Sequence, residues 1–243
     1  YAITYTLNNN GNLITTTQNI EVIAGVAAKL QIVQQPTAKK TGSSFSSAVT
    51  VRLLDAFNNQ VADSNSATAT ATLVSSSGAA LATTTQSSGV TFDANGVADF
   101  QDFDFVATPG TYRLVFTAST FDPITSSVFV VNVADPSVLS WQKAPPSDLV
   151  TGINMAESIL EIHDAYGNLV SSDNSTEIII SSAAGTTLSN TVYKAQNGVI
   201  TMDRFNMIAA PGNYDLKFTA SNSDAVSIND VSISSTVTVS NDV

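Results

Sequence analysis

The sequence contains a duplication at a spacing of 109 residues. Residues 53–61 return as residues 162–170, with an Asp, an aromatic residue, an Asn and a Val at matching positions. Farther along, residues 109–119 return as residues 211–221 at a spacing of 102. Self-similarity of this kind indicates a repeat architecture. We therefore expect two copies of one domain, the second having lost seven residues in the loops of the 75–95 region.

Residues 1–25 carry the end of the same pattern. Residues 1–6 have the form of residues 112–117, and residues 19–24 have that of residues 128–133. This predicts a hairpin that supplies the C-terminal strands of a truncated preceding domain. Because two strands alone are marginally stable in water, we expect the remainder of that domain to lie upstream or to pack against the hairpin from elsewhere.

Each copy has the pattern of half-buried β-strands. Tyr112, Leu114 and Phe116 alternate with residues predicted to face water, and the second copy repeats the alternation at positions 214–218. Such alternation is typical of a strand with one buried and one wet face. The 29 Thr and 31 Ser of the 243 residues suit such strands, whereas the chain is poor in helix formers. The predicted class is all-β.

Asn-Gly pairs predict tight turns between these strands. Asn95-Gly96 and Asn197-Gly198 both stand between apolar stretches, and both residue types adopt positive φ at low cost. Asp93 is interpreted as part of the first turn rather than as a metal ligand. About seven strands per copy, separated by closely spaced turns, predict a two-sheet sandwich of Greek-key type.

Four motifs carry a family resemblance. They are Leu-x-Ile-x-x-x-Pro from position 30, Val-x-Leu-x-Asp-x-Phe-x-Asn-x-Val from position 51, Asn-Gly-Val from position 95 and Pro-Gly-x-Tyr-x-Leu-x-Phe-Thr-Ala-Ser from position 109. Together they resemble the tandem immunoglobulin-like repeats of bacterial adhesins, invasin-like proteins and surface-layer proteins. The resemblance implies immunoglobulin-like β-sandwich domains. The repeat places residues 1–25 in a truncated domain and complete domains at 26–135 and 136–243, and the short joints between them predict an extended rod. A sandwich hosts many functions, so the resemblance implies fold more than function.

Charge and cysteine content exclude several classes of partner. A net charge of −11 leaves no cluster of cations for nucleic acid. An acidic surface attracts divalent cations, so calcium is the cofactor to consider first. The absence of Cys excludes disulfides and Cys-based zinc sites, and it is compatible with a bacterial or archaeal surface protein. No apolar run reaches the ~20 residues that cross a bilayer, so no membrane span is expected in this chain.

Asp55 and Asp164 are the repeated carboxylates, and each has two interpretations. In the first, each caps the turn after its strand by accepting backbone N–H bonds, with Asn58, Asn59 and Asn168 at positive-φ positions. In the second, these loops hold calcium together with Asp135 between the copies, because hard cations take several oxygen ligands. Asp63 and Asp173 recur as a second repeated pair in the same segments.

No other residues form a convincing reactive set. His163 is the only histidine, its counterpart in the first copy is Leu54, and Asp164 beside it would point to the opposite face of a strand. A Ser-His-Asp triad is therefore not expected. Trp141 replaces Ile32 of the first copy and is predicted to lie in the core or at its edge rather than to stack on sugars. The chain is predicted not to be an enzyme.

Short joints complete the functional prediction. Residues 133–137 lead directly from one copy into the next, and Pro136 restricts φ there. Copies joined so tightly favour a structural segment of a repeat-built extracellular cell-surface protein, such as a stalk, spacer or surface-layer element. Its partners would be neighbouring repeats and other copies in a lattice or fibre. The alternative is a ligand-binding module of an adhesin or an accessory domain of a secreted polysaccharide-active enzyme.

Overall fold

The computed structural model describes residues 1–62, 67–79, 89–118, 121–222 and 228–241. These residues form 21 β-strands and no α-helix, which confirms the all-β class. In this part of the chain there is accordingly no helix of the length and apolarity needed to cross a membrane. The seven-residue difference between the copies is predicted in a region that includes residues 80–88, outside the described residues.

The strands are numbered in chain order. They are β1 (Ala2–Asn9), β2 (Asn12–Asn19), β3 (Lys29–Gln34), β4 (Lys39–Lys40), β5 (Thr50–Leu54), β6 (Thr68–Ser75), β7 (Val90–Thr91), β8 (Val97–Asp99), β9 (Gly110–Thr117), β10 (Ile124–Thr125), β11 (Phe129–Asn132), β12 (Pro136–Lys143), β13 (Asp148–Val150), β14 (Ser158–Asp164), β15 (Glu177–Ser181), β16 (Thr187–Ser189), β17 (Val192–Lys194), β18 (Val199–Met202), β19 (Asn206–Ile208), β20 (Gly212–Ser221) and β21 (Ser232–Ser240).

The backbone divides into two compact units. Unit 1 comprises Tyr1–Thr37, Ser44–Phe103 and Thr111–Phe129, and unit 2 comprises Ala38–Ser43, Asp104–Gly110 and Val130–Val243. The domain boundaries predicted from the repeat, after residues 25 and 135, stay predictions. The described residues hold nine strands from β3 to β11 and ten from β12 to β21. Both numbers exceed the predicted seven because several of the strands, such as β7, are only two or three residues long.

Unit 1 packs two groups of strands around aromatic side chains. One sheet has the order β3-β5-β8, and β6 pairs with both β7 and β9. The predicted alternation in β9 is confirmed, since Tyr112, Leu114 and Phe116 are all buried. The Phe116 ring lies 5.0 Å from that of Phe100, which follows β8. Side chains from the two groups of strands therefore meet in one core, as a sandwich requires.

Unit 2 contains a three-stranded and a five-stranded sheet. Their orders are β12-β14-β18 and β13-β21-β20-β15-β17, and the short pair β16-β19 stands apart from them. The ring of Trp141 on β12 packs edge-on against Phe218 on β20 at 4.9 Å. The prediction that Trp141 belongs to the core edge is thus confirmed. Fully buried members of this core include Leu160, Ile162, Ile178, Ile200, Met202, Phe205, Leu216 and Val237.

Residues 1–20 form a separate two-stranded hairpin. β1 and β2 pair in register from Ala2–Asn19 to Asn9–Asn12, and Asn10 and Gly11 close the turn with φ of 51° and 87°. Positive φ at both turn residues matches the twist of a hairpin. The hairpin was predicted with its second strand at residues 19–24, and that position is wrong. The Asn10-Gly11 turn returns the chain earlier, so β2 ends at Asn19.

Asn-Gly pairs close turns in both copies, with one difference in detail. Asn197 and Gly198 both have positive φ, at 52° and 76°, whereas in the first copy Gly96 alone does, at 72°. Asp93 Oδ1 there accepts the N–H groups of Asn95 and Val97 at 2.9 and 2.8 Å. This carboxylate is therefore part of the turn, as predicted.

The sandwich core gives the first testable prediction. Phe116→Ala should lower the free energy of unfolding by about 3–5 kcal/mol, because it removes a fully buried ring from a close-packed core. Denaturant-induced unfolding of the whole chain measures the change. Phe57→Ala is the matched control, since this ring is 83% exposed and its loss should change stability by less than about 0.5 kcal/mol. Equal effects of the two substitutions would contradict the strand register.

Candidate functional site: two buried aspartates at equivalent turns

Asp55 and Asp164 occupy equivalent positions at the ends of β5 and β14, and both are buried. Asp55 Oδ1 accepts the backbone N–H groups of Phe57 at 2.9 Å and Asn59 at 2.8 Å. Asp164 Oδ1 accepts those of the residues two and four positions later, both at 2.9 Å. Each carboxylate therefore holds the turn that follows its own strand.

The second carboxylate oxygen reaches a distant part of the chain. Asp55 Oδ2 accepts the backbone N–H of Gly25 at 2.9 Å, and Asp164 Oδ2 accepts that of Ala134 at 3.0 Å. Gly25 and Ala134 each precede their aspartate by 30 residues, in the segment that leads into the copy. We call each aspartate with its backbone donors and the side-chain amide described next an Asp clamp.

The amide side chains of Asn59 and Asn168 complete the clamps. Each lies four residues after its aspartate, and its Nδ2 donates to Oδ2 at 2.9 Å. The positive-φ position is the residue before, Asn58 at 70° in the first copy and Gly167 at 82° in the second. The prediction that Asn59 and Asn168 themselves take positive φ is therefore wrong, because their role is to donate to the aspartate.

The turn-cap interpretation of Asp55 and Asp164 agrees with this geometry. A buried carboxylate is costly unless hydrogen bonds satisfy it, and four donor groups converge on each one. The Asn59 side chain and then the Gly25 amide lower the pKa of Asp55 to about 2. Burial by itself raises the pKa of Asp164, but the hydrogen bonds from Asn168, Ala134 and Tyr166 outweigh it and lower the pKa.

Asp173 has a similar role in the second copy. Its Oδ1 accepts the N–H groups of Ser175 at 3.0 Å and Thr176 at 2.9 Å, and the Thr176 hydroxyl donates to Oδ2. Burial raises the pKa of Asp173, yet these hydrogen bonds lower it overall. Its proposed counterpart Asp63 lies outside the described residues, so the recurrence of this cap stays a prediction.

The three carboxylates proposed for calcium have other partners. Asp135 is exposed and forms an ion pair with Lys40, while Asp55 and Asp164 receive the donors of the clamps. Within the described residues there is no group of three acidic or histidine side chains that could share a metal ion. Calcium at Asp55, Asp135 and Asp164 stays a prediction, which a calorimetric titration would test.

His163 has no catalytic partner among the described side chains. Its Nε2 lies 3.5 Å from a carboxylate oxygen of Glu161, and its Nδ1 is buried without a hydrogen bond. Neither nitrogen contacts a Ser hydroxyl in the described residues, so a nucleophile and base are not assembled around it.

The residues of the Asp clamps that the sequence did not predict are Gly25 and Ala134. Only their common spacing of 30 residues from the repeated aspartates could have indicated them.

The clamp in unit 2 gives a prediction of stability. Asp164→Ala should destabilise the chain by about 2–4 kcal/mol, because it leaves buried N–H groups without acceptors. Denaturant-induced unfolding measures the loss. Asp135→Ala removes a carboxylate from an exposed ion pair and should cost less than about 1 kcal/mol. If Asp164→Ala also lowered the free energy of unfolding by less than about 1 kcal/mol, water would be satisfying the N–H groups that Asp164 normally accepts.

The lowered pKa values predict acid sensitivity. A carboxylate whose pKa is lower in the folded than in the unfolded state contributes stability above the unfolded pKa of about 4. For Asp55 that contribution disappears as the pH falls from about 4 through about 2. Thermal unfolding midpoints at pH 7, 4, 3 and 2 should therefore fall steeply below pH 4. The unfolding midpoint of the double variant D55N/D164N should fall less steeply with pH. An unchanged slope would contradict the assignment of the acid sensitivity to these two carboxylates.

A comparison with family models finds one immunoglobulin-like match. Residues 25–137 match the model described as SMCHD1 Ig-like domain 6. No curated protein matches the chain.

Several solved structures are similar over most of the chain. The Escherichia coli adhesin FdeC is 19% identical with a TM-score of 0.46, covering 95% of this chain and 69% of that one. Domains 4 and 5 of the S-layer protein SbsC are 14% identical with a TM-score of 0.34, covering 87% and 96%. Escherichia coli alpha-2-macroglobulin is 10% identical with a TM-score of 0.44, covering 99% of this chain and 19% of that one.

The family match and the two-sheet architecture lead to one classification. The matched residues contain the Asp55 clamp and the strands from β3 to β11. The second copy repeats both the clamp and the paired sheets. The chain is therefore an all-β protein with the immunoglobulin-like β-sandwich fold.

Proposed function

We propose that this chain is a structural segment of a repeat-built, extracellular cell-surface protein, acting as a stalk, a spacer or a surface-layer lattice element. The observation that carries the proposal is the Asp clamp. In both copies a buried carboxylate accepts a hydrogen bond from the backbone N–H of the segment that enters the copy. The same carboxylate also accepts one from the turn that follows its own strand, β5 or β14. Such a bond transmits tension from the entering chain into the sheet.

The connection around Ala134 supports a load-bearing role. β11 ends at Asn132 and β12 begins at Pro136, so three residues separate the two strands. The middle one of these residues is Ala134, whose N–H is held by Asp164. A connection so short and so bonded has little freedom to extend under force.

The use of the repeated acids also supports a non-enzymatic role. Glycoside hydrolysis needs two carboxyl groups that face a substrate-sized space. Asp55 and Asp164 instead face backbone and side-chain donors of their own copies. A structural role explains why both copies keep the same residues, since each must build the same turn.

The proposed location and partners follow from the same role. The absence of Cys is compatible with a bacterial or archaeal surface protein, and a net charge of −11 favours solubility through like-charge repulsion. Its partners would be neighbouring repeats of the same polypeptide and other copies in a lattice or fibre. A glycan array tests the alternative, a ligand-binding module. Saturable binding to one glycan class would favour that alternative over the structural role.

Single-molecule force spectroscopy tests the mechanical role. Pulling the whole chain should give two unfolding events, one per copy, and Asp164→Ala should lower the force of one event and leave the other unchanged. Asp135→Ala serves as the exposed-carboxylate control and should leave both forces unchanged. If Asp164→Ala lowers equilibrium stability without lowering either force, the clamp is not a mechanical element and the proposal fails.

A further inference from the structure

The hairpin β1-β2 presents an uncovered apolar face. Cross-strand partners share a face, and alternate residues of a strand do so as well. Tyr5 therefore lies on the same face as Ile3 and Leu7, and the side chains of Ile3 and Tyr5 are 42% and 53% exposed. The other exposed members of this face are Tyr1, Ile14 and Ile20.

The corresponding faces in the two copies are covered. Ile3 and Tyr5 align with Leu114 and Phe116 of β9 and with Leu216 and Phe218 of β20. All four of these counterparts, Leu114, Phe116, Leu216 and Phe218, have 0% exposure. The hairpin also has the same form as β20-β21, in which consecutive strands pair antiparallel. The hairpin therefore corresponds to the last two strands of a sandwich, and its apolar face is exposed among the described residues.

The copies show what covers such a face. β6 pairs antiparallel with β9, placing Ala71 opposite Phe116, and β15 pairs antiparallel with β20 in the same way. A ring from the other sheet then closes over the aromatic residue, Phe100 in unit 1 and Trp141 in unit 2. The occupant that fits the hairpin thus has two parts, an edge strand and an opposing sheet.

The free edge of β1 has none of the features that discourage strand pairing. Edge strands are commonly blocked by charged residues or Pro, yet residues 2–19 contain no Asp, Glu, Lys, Arg or Pro. Among the described strands, β1 pairs with β2 alone. β6, which pairs with the equivalent β9, is likewise uncharged and alternates Thr with buried Ala and Leu. An uncharged strand of the same kind complements β1.

Phe57 gives a second and independent observation. Its counterpart Tyr166 is 44% exposed and lies against Gly42, where an added Cβ would fall 1.8 Å from the Tyr166 hydroxyl oxygen. Gly42 belongs to the turn after β4, in the first copy. Phe57 is 83% exposed and has no such turn against it in the described residues. Both the hairpin and Phe57 therefore lack the contacts that one preceding sandwich would make.

We propose that β1-β2 is a strand-donating surface that completes an immunoglobulin-like domain lacking its last two strands. The partner pairs an uncharged strand like β6 with the edge of β1 and lays its second sheet over the face of Ile3 and Tyr5. Its turn equivalent to residues 41–43 covers Phe57. This assignment goes beyond the proposed structural role and does not depend on it, since it concerns only which surface the hairpin binds.

The test supplies such a partner within one polypeptide. A copy of residues 26–111 is placed directly before Tyr1 of the whole chain, so that Tyr1 takes the position of Tyr112. Backbone hydrogen exchange of β1 is compared with that in the unextended chain. We expect exchange in β1 to slow by about 100-fold or more, because a paired and covered strand opens only with its domain. Hydroxyl-radical labelling of Phe57 should fall in the same sample.

Two matched substitutions in the extended chain separate the two faces. Tyr5→Asp places a charge on the apolar face and should restore fast exchange in β1. Ala2→Asp places the same charge on the opposite face, at the position that Asp215 occupies in β20, and should leave exchange slow. Unchanged exchange in the extended chain would overturn the proposal. So would a dimer of the unextended chain with β1 protected, since a second copy would then be the occupant.

Discussion

A carboxylate buried among backbone amides sets the local structure of each copy. Burying an ionised group is tolerated only when its oxygens are fully hydrogen-bonded. Asp55 meets that requirement with donors two, four and thirty residues away, and Asp164 does so with the same spacings. The turn conformation, the Asn four residues later and the position of the entering segment follow from this one need.

The sheets meet a different requirement, which is to cover an apolar face. In both copies the Leu-x-Phe pair of the long strand is sealed by an opposing ring. In the hairpin, the same pattern of side chains stands open. β1 and β2 pair in full register, but an isolated hairpin is marginally stable in water. Local turn chemistry therefore sets which residues pair, whereas a second sheet is needed to bury the apolar face.

The sequence predicted those features that side chains encode. Alternation identified the inward face of β9, and the replacement of Ile32 located Trp141 at the core edge. The repeated aspartates predicted a turn cap as one of two interpretations, but not the donor role of the Asn four residues later. The donors Gly25 and Ala134 could not be recognised, because a backbone N–H belongs to almost every residue and its use depends on the fold. The second strand of the hairpin was predicted too late in the chain, at residues 19–24, because those residues resemble residues 128–133. The Asn10-Gly11 pair instead forms a turn that starts β2 earlier.

The spacing of 30 residues between each clamped amide and its aspartate has a consequence for synthesis. The chain leaves the ribosome from its N-terminus at 5 to 20 residues per second, so Asp164 emerges about 2 to 6 seconds after Ala134. Throughout that interval the Ala134 N–H lacks its carboxylate acceptor. The connection between the two copies therefore gains this hydrogen bond only after the first strands of the second copy have emerged.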